Sequence, residues 1–90
     1  LAGARLGLAD LTGANLSGAD LSEAWMPGAV LRSADLYGII ARKVNLSGAD
    51  LSDANLRNAN LAWARLTMTN LSETNLTNAN LFGATLVWKF

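Results

Sequence analysis

Any chemistry would have to come from a short set of side chains. The chain holds no His and no Cys, which removes the commonest general base and metal ligand along with thiolate and disulfide chemistry. Serines and threonines are plentiful, but a hydroxyl nucleophile needs a base and a group to orient it, and no such partner is apparent. Glycines recur singly, in stretches such as ANLSGAD, as turns want them, and they form no phosphate-cradling loop. Carboxylates remain. Asp50, Asp53 and Glu73 could serve acid/base work on a glycoside or hold a hard cation if the fold brought them onto one face. A second set is Trp63, Met68, Phe82, Val87 and Trp88, in which Trp and Met are typical interface anchors.

The elements that would position these residues are constrained by size. Ninety residues with zero formal charge and a single Pro fit one small domain or a fragment of one. The apolar fraction of 51% is mostly Leu and Ala, with six aromatics, and a compact globule of that make-up would be marginal. There is no apolar run long enough to span a bilayer and no leader segment, so no membrane partner is expected, and the cytoplasm is the default setting. Balanced charge gives no pull toward nucleic acid. Because it opens at Leu1 rather than Met, the chain is expected to have been processed or excised from a longer one.

An internal repeat of five residues runs from end to end. Taking the central residue at positions 1, 6, 11 and onward to 86, sixteen of eighteen are Leu, the exceptions being Met26 and Ala41. At places 4, 9 and onward to 89 thirteen of eighteen are Ala, and at places 5, 10 and onward to 90 eleven of eighteen are Asp or Asn. The two places after each centre favour Ser, Thr, Gly and charged residues. A period of five suits neither regular element. On an α-helix successive leucines would spiral round every side, and on a flat strand every second Leu would flip outward. A backbone that bends once per unit meets the pattern, turning Leu and Ala inward each time. The chain must coil.

The stretches ADLTGANLSGADL and ADLSDANLRNANLAWARL resemble the pentapeptide-repeat family, written A(D/N)LXX, over essentially all ninety residues. That resemblance implies an all-β fold, a right-handed quadrilateral parallel β-helix with four pentapeptides per coil. Eighteen units then make four and a half coils, with inward Leu and Ala columns and residues twenty apart stacked on one another. A single domain over 1–90 is expected, regular to about residue 86 and followed by a tail at 87–90.

The stretch LYGIIARKVNL at 36–46 interrupts the pattern but keeps its register. Ala41 falls between Leu21 and Leu61, and Ile39 and Val44 stand where Ala is usual, so volume lost at the centre is returned beside it. Ile40 reads as an exposed apolar residue. Stacking pairs Glu23 with Lys43 as a surface ion pair and lays Trp25 beside Arg5 in reach of a cation–π contact. It also sets Asp53 and Glu73 about 5 Å apart, beside Asp50, on a convex wall with nothing to exclude water. Catalysis there is not expected.

Function therefore has to sit on the outward columns. With catalytic residues, cofactors, metals and small-molecule substrates all unexpected, the sequence points to a non-catalytic structural or protein-interaction scaffold. Its candidate contact patch is Trp63, Met68, Phe82, Val87 and Trp88, near the C-terminal end, with Phe90 as an extension. The rival reading is self-capping of the last coil. Open solenoid ends expose core leucines and unpaired backbone, so a homodimer through an end is a further expectation. The family also implies an alternative, since some members confer fluoroquinolone resistance by binding DNA gyrase as mimics of duplex DNA. Such a mimic needs an acidic face, and here seven acids are matched by seven bases. An ice-binding row of Thr is weaker still, because Arg32, Tyr37 and Arg57 break the columns.

Overall fold

The computed structural model describes residues 1–87. Every five-residue unit centred on Leu1 to Leu81 makes the same bend. The N–H three places after each central residue donates to that residue's carbonyl, as from Ala14 to Leu11 at 3.0 Å and from Ala49 to Leu46 at 3.0 Å. The second residue after each centre has positive φ throughout, at seven glycines and ten other residues, as a type II turn demands. The ten include no Val, Ile or Thr, the residues for which this region is most strained.

Asp and Asn before each centre hold the bend. At all eleven such positions Oδ1 accepts the N–H two residues on, from Thr12 on Asp10 at 3.1 Å to Phe82 on Asn80 at 3.0 Å. This Asx interaction satisfies a donor that the turn would otherwise leave free. The one unit with Trp in that place, Trp25, has Pro27 two residues on, which carries no N–H to satisfy.

Residues twenty apart pair in parallel, at thirteen single-residue bridges from Arg5 with Trp25 to Arg65 with Thr85. Turns occupy the rest of each unit, so the ladder consists of isolated bridges and not of continuous strands. Each unit still binds its neighbour well. Leu31 donates to the Asp50 carbonyl at 2.7 Å, Ser33 to Ser52 at 2.9 Å, and Asp50 back to Ala29 at 2.9 Å. The chain thus winds as a parallel β-solenoid in which backbone demand is met between levels.

Four sets of units stack. The first is centred on Leu1, Leu21, Ala41, Leu61 and Leu81, the second on Leu6, Met26, Leu46, Leu66 and Leu86. The third runs through Leu11, Leu31, Leu51 and Leu71, and the fourth through Leu16, Leu36, Leu56 and Leu76. Their centres and the preceding alanines form one buried cluster from Leu21 to Leu66, with Leu11, Leu16, Leu71 and Leu76 half covered at its ends. Register runs unbroken through 36–46, where Ile40 bridges Asp20 and Asn60. Ala41, Ile39 and Val44 are all buried and Ile40 is exposed. Thr69 and Thr74 replace Ala at inward places, and their hydroxyls donate to the Leu46 and Leu51 carbonyls, each at 2.8 Å.

Candidate functional site

The carboxylates considered in the sequence do not gather into a site. Asp53 and Glu73 are both exposed, and no group of acidic side chains able to hold a metal ion occurs among the described residues. Asp50 instead faces Arg32, Nε to Oδ2 at 3.7 Å, the one ion pair among the described residues. Its carboxyl is held below the usual aspartate range first by the Ser52 hydroxyl, then by the Ser52 N–H, with Arg32 adding a smaller share. Glu23 and Lys43 do not pair as the columns suggested. Each lies at the outermost bend of its unit with φ near 60°, and two solvated side chains gain little by meeting there.

The aromatic set divides between two stacks. Trp63 and Phe82, on the first, meet edge to face with centroids 5.3 Å apart and an interplanar angle of 88°. The Trp63 ring lies so flat on Gly83 that a Cβ there would collide with it. Glycine at 83 is thus what allows the indole its seat. Met68 and Val87 stand on the second stack, and all four residues are exposed, Phe82 to 69%. Trp88, Lys89 and Phe90 lie outside the described residues.

Sequence reasoning passed over a second apolar feature. Trp25 does lie under Arg5, the guanidinium 5.6 Å from its ring centroid, yet its opposite role is to wall a hollow. The ring rests on Gly7, where an added Cβ would come within 2.5 Å of Cζ3, and Leu8 rests likewise on Gly28, 2.8 Å from Cδ2. Between them, with Pro27, Ser47 and Gly48, opens an apolar hollow of about 380 Å³. A signal was present: two of the three outward columns of the second stack, from Gly7 to Val87 and from Leu8 to Met68, contain no charged residue, the third carrying Arg5 and Arg65. The fourth stack is self-contained by comparison, Tyr37 accepting from Asn58 Nδ2 at 2.7 Å with Arg57 over its ring at 5.8 Å.

A five-residue bend, an unbroken twenty-residue ladder and a Leu/Ala interior define a β-solenoid. Pentapeptide repeats, eight copies of them, match residues 1–24, 29–67 and 59–88, and the chain belongs to that family. Comparison with curated proteins gives no match. Among solved structures, a pentapeptide repeat protein from Nostoc superposes with a TM-score of 0.86 at 32% identity, over 92% of this chain and 84% of that one. One from the Arabidopsis thaliana thylakoid lumen gives 0.66 at 36% identity, and one from the cyanobacterium Cyanothece 0.62 at 35%. This chain is covered to 97% in both cases but spans 57% and 62% of those two proteins. The family is a structural, non-catalytic one. No helix among the described residues is long and apolar enough to cross a membrane.

Proposed function

We propose that this chain works by display. It is a right-handed, four-sided solenoid of about four and a half coils, a single domain regular to about residue 86 with a tail at 87–90. Its outward columns meet a protein partner or another copy of the chain. The observation that carries this reading is the contrast between the interior and two neighbouring walls. Leu51, Leu56 and Leu61 are wholly buried, while Trp63, Met68, Phe82 and Val87 stand outside that core, half exposed or more. An interior already filled by Leu and Ala does not need them, and contiguous exposed apolar side chains mark contact surfaces.

Trp88 belongs to the proposed set and lies outside the described residues. A homodimer through a solenoid end is a second contact in keeping with the reading, because Leu11 and Leu76 are covered on one side only. The test is affinity capture from a bacterial lysate with the chain and with Trp63→Ala and Phe82→Ala. A discrete protein held by the native chain and released by both variants is expected. Capture that both substitutions leave intact would remove the patch from the account.

A further inference from the structure

The second stack offers more than part of a patch. The two outward columns that follow its centres are uncharged at every described level, whereas in each of the other three stacks those columns carry a charged side chain, among them Lys43, Asp53 and Arg57; the column before the centres of the second stack holds Arg5 and Arg65. It is also the most sparsely covered wall at mid-height. Gly28 and Gly48 leave the centre bare, and the backbone does not compel this, since ten positions of the same positive φ elsewhere carry side chains. A Cβ at Gly48 would meet nothing within 4 Å. The result is a relief: a hollow below the level of Ser47, walled by Leu8 and Trp25, and Met68 projecting from the level above it.

We infer that this wall pairs with the same wall of a second copy, antiparallel, about a two-fold axis lying in the interface across Ser47 and Gly48. That operation keeps the position across the wall and inverts the height. Met68 of each copy then falls at the level of Gly28 on the other and enters the hollow between Leu8 and Trp25. Val87 falls against Gly7 and the Trp25 ring. The contact is isologous, so each knob-and-hollow match occurs twice; no like charges meet along the two uncharged columns, and in the column before the centres Arg65 falls at the level of the other copy's Trp25 and Arg5 at that of its Thr85. Size sets its strength. About 22 Å of coiled wall at ~4.8 Å per level, and a width of up to 25 Å, give at most roughly 500 Å² per partner. The total, about 1,000 Å², is the threshold of a specific interface, so the dimer is reversible and concentration-dependent. Trp63 and Phe82, on the neighbouring stack, stay free for a different partner.

The inference rests on the reading of the solenoid as a display scaffold, and its failure is separable from failure of that reading. Light scattering and sedimentation of the whole chain between about 10 µM and about 1 mM, where an interface of this size associates, should show the mass doubling. Ser47→Lys places two ammonium groups face to face on the axis and should hold the chain at monomer mass throughout, as should Ser47→Glu. An equimolar mixture of the two should recover the doubled mass. Trp63→Ala should dimerise as the native chain does, whatever it does to capture of another protein. Circular dichroism matching the native spectrum confirms that each variant is folded. A native chain that stays monomeric to the highest concentration overturns the inference. So does a dimer indifferent to Ser47→Lys, which would assign self-association to a solenoid end, or a Lys/Glu mixture that stays monomeric.

Discussion

Asp10, Asp20 and Asp50 perform the same local task as Asn15, Asn45 and Asn55, accepting the N–H two residues on, but they titrate. All three carboxyls are lowered from the ordinary 3.8. For Asp10 the leading cause is the Thr12 hydroxyl, and for Asp20 it is the Ser22 N–H. A carboxylate with a lower pKa folded than unfolded binds fewer protons in the native state. Its contribution is therefore complete above 3.8 and lost as the pH falls through the lowered folded value. Thermal melts should show the midpoint dropping with acid in that window, and Asp10→Asn with Asp20→Asn should flatten the drop while keeping the turns. A second expectation concerns the bend itself. Lys43, at φ 59°, should tolerate Gly freely, whereas Lys43→Val should cost about 1–3 kcal/mol in denaturant unfolding, since a β-branched residue strains at positive φ.

The units around 36–46 show what a repeat can vary and what it cannot. Ala41 is fully buried between levels that carry Leu, and Ile39 and Val44 fill beside it. Ala41→Leu alone should thus destabilise by about 1–3 kcal/mol through overpacking, and Ile39→Ala with Val44→Ala should relieve much of that. Leu51→Ala, in the wholly buried centre, should cost about 2–5 kcal/mol, and Leu76→Ala less, because Leu76 is covered on one side. The stack and this compensation were legible in the sequence because both follow from register, and one register governs the whole chain. Features set by side-chain direction were not. Glu23 and Lys43 share a column but do not pair. Trp25 was expected at Arg5, and its second face, turned to the hollow with Leu8, depends on which way the indole lies over Gly7. The contact role of Trp63 and Phe82 is not settled by register either, since position in a column says what is outward and not what covers it.

For the molecule as a whole, opposite charges mix on its walls: Glu23 shares the first stack with Arg42 and Lys43, and Arg32 shares the third with Asp53 and Glu73. A surface so mixed does not imitate the even negative charge of a duplex, and purified chain at micromolar concentration should leave DNA gyrase supercoiling unchanged. Every surface feature proposed above depends on vertical adjacency of residues twenty apart. Nitroxide labels on cysteines at Arg57 and Thr77, in a chain that has no cysteine of its own, measure that adjacency directly. The account predicts strong dipolar broadening of the spectrum for this pair, one level apart on the same wall, and little for labels at Arg57 and Ser72 on different walls. Equal broadening in the two pairs, or none at Arg57 and Thr77 in a folded chain, would contradict it.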